Sequence, residues 1–102
     1  MDRPDVEIVD NPTARRYEAR IVGTGAVAGF SEYELDGDRI RFLHTEVDPS
    51  LEGHGIGSRL AAGALAAARA RDLRVIAKCP FIASYAKRHA ADYADLVTTV
   101  DG

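Results

Sequence analysis

Val47-Asp48-Pro49-Ser50-Leu51-Glu52-Gly53-His54-Gly55-Ile56-Gly57-Ser58-Arg59-Leu60 joins an apolar extended run ending at Val47 to an alanine-rich amphipathic run starting near Ile56. Gly53, Gly55 and Gly57 fall at every second position of the join. The first turn of a helix has unpaired backbone N–H groups and the positive end of the helix dipole, so an anion is stabilised there. Glycine lets that backbone come close and take turn geometries forbidden to other residues. The stretch therefore reads as a phosphate cradle. It is neither of the two common glycine loops, since the dinucleotide-binding loop needs G-x-G-x-x-G and the P-loop needs G-x-x-x-x-G-K followed by Ser or Thr. A plain strand-to-helix connection is the alternative reading.

Working back from Val47, the run Arg39 to Val47 alternates as a strand. A period of two puts Ile40, Phe42, His44 and Glu46 on one face and Arg41, Leu43, Thr45 and Val47 on the other. Asp36-Gly37-Asp38 closes a hairpin before it. Ala26 to Leu35 is a strand whose alternation breaks, with Ala28 and Phe30 in one phase and Tyr33 and Leu35 in the other, which predicts a bulge near Ser31 or burial on two sides. Gly23-Thr24-Gly25 is a turn. Arg15 to Val22 and Val6 to Asp10 make a further hairpin around Asn11-Pro12-Thr13.

Forward of the glycines, Ile56, Leu60, Ala64 and Ala67 share a helical stripe, and the helix is predicted to run to about Asp72. Leu73 to Cys79 contains a short buried strand returning beside the Arg39 to Val47 strand. Pro80 starts a second helix, with Cys79 as its cap residue. Leu96 to Val100 is a last short strand or irregular.

The chain has 102 residues, 46% hydrophobic and 28% charged, with a formal net charge of −3 and one cysteine. That length makes one domain, residues 1–102, with a single core. The negative charge and the lack of a Lys/Arg run argue against nucleic acid and anionic membranes as partners and favour a basic substrate. No apolar stretch approaches the roughly 20 residues that span a bilayer, and no secretory leader opens the chain, so a cytoplasmic location is expected. A lone cysteine makes no internal disulfide. The scattered His44, His54 and His89, with Cys79 lacking a CxxC partner, give no metal site.

Val47, Pro49, Gly53, Gly55, Ile56, Gly57 and Leu60 together resemble the acetyl-coenzyme A loop of the GNAT superfamily of N-acetyltransferases, V-x-P-x-x-[R/Q]-G-x-G-[I/V]-[G/A]-x-x-L. Glu52 departs from it where Arg or Gln is usual. The element order is similar to a minimal GNAT fold, an α+β architecture with a mixed, mostly antiparallel sheet and two main helices. His44-Thr45-Glu46-Val47, Cys79-Pro80-Phe81, Tyr85 and His89 look like the small single-domain branch named after the bacterial protein YjdJ. The resemblance implies acetyl-coenzyme A as cosubstrate, held by Val47, Gly53, His54, Gly55, Ile56, Gly57 and Ser58, and an amine acceptor, a small molecule or a peptide. A coenzyme A or acyl-coenzyme A binding module without turnover, or a protein-docking module, is the alternative.

Acetyl transfer to an amine needs a base for the amine, a polarised carbonyl and a stabilised leaving thiolate. Glu46 lies on the strand where similar enzymes place a glutamate base; otherwise it is a surface or ion-paired carboxylate. His44 is a second candidate base, since a free imidazole titrates near neutrality, or a structural histidine. Tyr85 stands where many GNAT enzymes hold a tyrosine that protonates the leaving thiolate, although Lys78 replaces their usual Asn seven residues earlier. Cys79 at a helix cap is either a reactive thiol near the acetyl group or a buried apolar residue.

Overall fold

A computed structural model of the protein describes residues 5–99. Its order is β1 (Val6–Asn11), β2 (Arg16–Ile21), β3 (Val27–Asp36), β4 (Arg39–Val47), a 3-10 turn (Pro49–Leu51), α1 (Ile56–Ala70), β5 (Arg74–Ala77), α2 (Pro80–Arg88), α3 (Ala90–Tyr93) and β6 (Val97–Thr99). The strands form one six-stranded sheet in chain order. β1 to β4 pair antiparallel, and β4, β5 and β6 pair parallel. This is the expected mixed α+β sheet with two main helices, joined by the four-residue α3. The expected last strand is β6; Val100, its predicted end, lies outside the described residues.

One face of the sheet packs against the helices. Tyr17, Ala19, Tyr33, Ile40, Phe42, Val75 and Ala77 are buried there against Leu60, Ala61, Ala64, Leu65 and Ile82. Alanine on the buried stripe of α1 lets the helix lie close, and Gly63 closest of all: a Cβ there would come within 2.7 Å of Ile8 Cγ1. Tyr17, Tyr33 and Phe42 make an aromatic cluster with ring centroids 5.3 to 6.4 Å apart. The Tyr33 hydroxyl donates to Asp10 Oδ1 at 2.6 Å. Burial and that carboxylate hold the phenol well above its ordinary pKa, so it stays a donor.

α1 stops at Ala70, short of the expected Asp72. Asp72 adopts the left-handed conformation (φ 55°). Leu73 N–H then donates to Ala68 O (2.9 Å) and Asp72 N–H to Arg69 O (3.1 Å). These bonds close the helix by satisfying its last carbonyls.

The other sheet face, with Glu7, Glu32, Glu34, His44 and Glu46 exposed on it, has no helix over it. Its fixed point is Glu18, 3% exposed, which accepts from Arg16 Nε (2.7 Å), Arg20 Nε (2.8 Å) and Asn11 Nδ2 (3.1 Å). Burial works to raise the Glu18 pKa. The donors from Arg16, Arg20 and Asn11 outweigh it and hold the carboxyl below its ordinary range.

Two register shifts correct the alternation read from sequence. The first leaves Ala28 as an extra residue in β3, between the pairs Ala19–Gly29 and Arg20–Val27. The second leaves Leu43 extra in β4, between Phe42–Tyr33 and His44–Glu32. The bulge expected in the Ala26 to Leu35 run is thus at Ala28, a second lies opposite in β4, and Ser31 itself is a regular, fully buried position. The Leu43 bulge also reverses the phase of β4: Ile40 and Phe42 are buried, whereas His44 and Glu46 are exposed on the opposite face. The expectation that all four share a face is incorrect, because a period of two holds only within an unbroken ladder.

Candidate active site

The bulge coincides with a parting of strands. β4 and β5 pair from Arg39–Arg74 to Phe42–Ala77 and no further. Phe42 O then accepts from both Lys78 N–H (3.1 Å) and Cys79 N–H (2.9 Å), which turns the chain away from β4 into α2. From Leu43 to Val47, β4 has no neighbour on that side in the ladder.

On the helix side of this parting lies a cleft of about 340 Å³. Thr45 and Val47 of β4, Gly53 and Gly55 to Ser58 of the loop and α1, and the apolar Leu51 and Phe81 line it. Asp48 starts the loop by accepting from Ser50 N–H (2.9 Å) and Ser50 Oγ (2.8 Å). Those two donors hold its carboxyl below the ordinary range. Gly53 (φ 85°) and Gly55 (φ 73°) take left-handed conformations, which the chain needs to turn into α1 at this point. Gly55 is the cap of α1, no side chain bonds to the first turn, and no acidic residue stands in it. The opening amides of a 15-residue helix are thus directed at a cleft without a carboxylate of that turn against them.

Val47, Gly53, Gly55, Ile56, Gly57 and Ser58 all line this cleft, whereas His54 does not. Glu52 lines it as well and is exposed. Gly57 is the second residue of α1 and has helical geometry. Its missing side chain makes room for Phe81, since a Cβ there would lie 2.7 Å from the Phe81 ring. Thr45, Leu51 and Phe81 escaped the sequence reading. Phe81 was accessible in principle: Pro80 at the first helical position places the next residue in the turn that faces the parting strands.

Of the candidate reacting groups, His44 and Glu46 come together, with Nε2 and Oε1 3.0 Å apart, both more than half exposed on the open sheet face. Phe30 lies beside them, its ring edge toward His44 at a centroid distance of 6.3 Å. Phe30 also carries the Arg16 guanidinium 4.4 Å above its ring. Here a second cleft of about 310 Å³ is lined by Arg16, Val27, Phe30, Glu46, Asp48 and Pro49, with Val47 shared between the two clefts. Gly29 keeps the strands close at this edge: a Cβ would sit 2.8 Å from Glu46 O.

Cys79 caps α2 by position, but its thiol does not bond to the helix amides. The sulfur is buried (3% exposed) and donates to Thr45 Oγ1 at 3.3 Å. Thr45 in turn lies 3.0 Å from Ser31 Oγ. A cap position would let the thiol meet the unpaired N–H groups of the first turn; instead Thr45, turned inward by the bulge, is its partner. Tyr85 stacks on His89 (4.4 Å) and Tyr93 (6.0 Å), one turn after Phe81, and does not line the glycine-loop cleft. Among the described residues no group of three or more His, Cys, Asp or Glu could hold a metal ion, and no helix is long and apolar enough to cross a membrane.

Comparison with known proteins agrees with this arrangement. No protein among those with curated functions matches the chain in sequence. The solution NMR structure of a GCN5-like protein from Staphylococcus aureus is similar over 99% of this chain and 94% of its own, with a TM-score of 0.63 and 22% identity, a likeness of fold. The family model for the GCN5-related N-acetyltransferases matches residues 16–96, from the open-face β2 through the glycine loop to the end of α3 and beyond, so the chain belongs to that acetyltransferase family.

Proposed function

We propose that the protein transfers an acetyl group from acetyl-coenzyme A to an amine, with the cofactor on the helix side of β4 and the acceptor on the open side. The observation that carries this reading is the uncapped N-terminus of α1 opening onto the cleft bounded by Thr45, Val47 and Phe81. The amides of Gly53 to Ser58 hold the pyrophosphate, and positive φ at Gly53 and Gly55 keeps that loop folded toward it. When bound, acetyl-coenzyme A supplies an activated acetyl thioester.

Glu46 accepts the amine proton at Oε1 as that nitrogen bonds to the acetyl carbon, and His44 Nε2, 3.0 Å away, orients the carboxylate. Tyr85, four residues after Phe81 and so on the same helix face, supplies the proton on the thiol side. Cys79 supports Thr45 from behind, and the amine attacks directly. Coenzyme A is therefore expected to move the backbone amide resonances of Gly53 to Ser58 in labelled protein; unmoved resonances refute the cofactor site. Gly55→Val, which forces a β-branched residue to positive φ, abolishes the response. Glu46→Gln lowers kcat/KM at least tenfold with the cofactor shifts intact, about 1.4 kcal/mol of barrier. Binding without turnover of any amine would instead make the chain a coenzyme A binding module, a reading that Glu52 in the cleft favours.

A further inference from the structure

We infer that the cleft beside Arg16, Phe30 and Glu46 takes a small amine that also carries a carboxylate a few bonds from its nitrogen, as a free amino acid does. This rests on the acetyl-transfer reading and names its substrate class. The argument begins with Phe30, which sits directly opposite Glu46 across β3 and β4. Directly opposed residues have Cβ atoms about 5 Å apart. The Arg16 guanidinium lies 4.4 Å over the same ring. A carboxylate and a guanidinium therefore both border one aromatic side chain, and a ligand in the cleft beside Phe30 meets both.

The guanidinium has capacity to spare. Only its Nε is engaged, with Glu18 at 2.7 Å, and its terminal nitrogens have no hydrogen-bond partner among the described residues. Glu18 is shared with Arg20, and Glu32 faces Arg16 across β2 and β3 without an ion pair to it among the described residues, so the Arg16 terminal nitrogens are left for a ligand. The planar fork of arginine matches a carboxylate in bidentate fashion. Glu46 and Asp48 in the same cleft suit the ammonium. An amine without an anion leaves the Arg16 fork unused, and a polyamine brings a second cation against it. A volume of about 310 Å³ accommodates a small amino acid.

The test uses labelled protein saturated with coenzyme A and titrated with glycine, β-alanine and γ-aminobutyrate, each paired with its carboxamide. At least one of the three is expected to move the Phe30 and Glu46 amides with a Kd at least tenfold below that of its carboxamide. Arg16→Gln should bring the pair to within about twofold, and Arg16→Lys should restore part of the difference. Equal affinities within every pair, no response at Phe30 and Glu46, or a preference that survives Arg16→Gln would each overturn the inference. So would tighter binding of phosphoethanolamine than of every amino carboxylate, which would make the anion a phosphate. If coenzyme A itself moves none of Gly53 to Ser58, the acetyl-transfer reading fails instead, and on different resonances.

Discussion

Replacing Gly57 with alanine separates what that glycine does for the fold from what it does for the ligand. A Cβ there would lie 2.7 Å from Phe81 Cζ and 3.2 Å from Cε2. Ordinary carbon contacts begin near 3.5 Å, so the ring must retreat by about 1 Å. Phe81 is 36% exposed, and the clashing atoms are the far end of its side chain, so the ring can swing. Stability should hardly change. Alanine in place of a helical glycine contributes up to about 1 kcal/mol, and a partly exposed phenylalanine that loosens loses a similar fraction of the ~1.5–3 kcal/mol of full burial. We expect a net change within about 0.5 kcal/mol.

Coenzyme A binding should respond more strongly, because the displaced ring is a wall of the cleft. A five- to tenfold rise in Kd is expected, ~1–1.4 kcal/mol. Calorimetric Kd values for the wild type, Gly57→Ala, Phe81→Ala and the double variant form the decisive cycle. If the effect runs through the ring, Gly57→Ala costs less than twofold once Phe81 is gone. An equal loss with and without Phe81 would refute this and make the methyl group a direct obstacle to the ligand.

Gly63→Ala should destabilise the protein by about 1–2 kcal/mol in denaturant unfolding, because overpacking against the stiff Ile8 outweighs the helix gain; in an Ile8→Ala background the same change should stabilise. Glu18→Gln should cost about 2 kcal/mol at pH 7 through its charged hydrogen bonds. The folded pKa of Glu18 lies below its ordinary 4.5, so its contribution is full above that pH and is lost as pH falls through the folded value; acid unfolding curves should show the variant converging on the wild type below pH 4.5. Cys79→Ala should keep kcat within about threefold and lower stability by about 1 kcal/mol, since the thiol packs behind Thr45; loss of activity with normal coenzyme A shifts would give the sulfur a chemical role.

The sheet order, the two main helices and the glycine loop were legible because each rests on local signals: turn residues, unbroken periodicity, and glycines at positions where φ is positive. What escaped the sequence depends on partners distant in the chain. Leu43 is an unremarkable strand residue, and nothing near it marks a bulge; the extra residue is fixed by how Phe42 and His44 pair with Tyr33 and Glu32. Gly57 reads naturally as part of the phosphate cradle, yet its side of the backbone meets Phe81, 24 residues later in sequence. Arg16 looks like one of several charged residues on an alternating strand. Only the register across β2, β3 and β4 places it in the row of Glu32 and His44, next to the row of Phe30 and Glu46, with its guanidinium over the Phe30 ring.

The Leu43 bulge has a consequence larger than its one residue. An unbroken β4 would turn His44 and Glu46 toward the helices with Ile40 and Phe42, bringing two ionisable groups onto the buried face and leaving Thr45 and Val47 outside. Burying such groups without partners is unfavourable, and the cofactor cleft would lose its small, neutral wall. With one extra residue, Thr45 and Val47 face the glycine loop, His44 and Glu46 face the open side of the sheet, and Glu46 lines the cleft there. The same shift falls where β5 leaves β4, so the two sets of residues border an opening in the sheet. Acetyl transfer needs a neutral pocket for the thioester and a base on the acceptor side, and alternate residues of one short strand can provide both once their parity is set. Deleting Leu43 should therefore do more damage to coenzyme A binding than Leu43→Ala, because the deletion reverses every side chain from His44 to Val47 while the substitution leaves their facing unchanged.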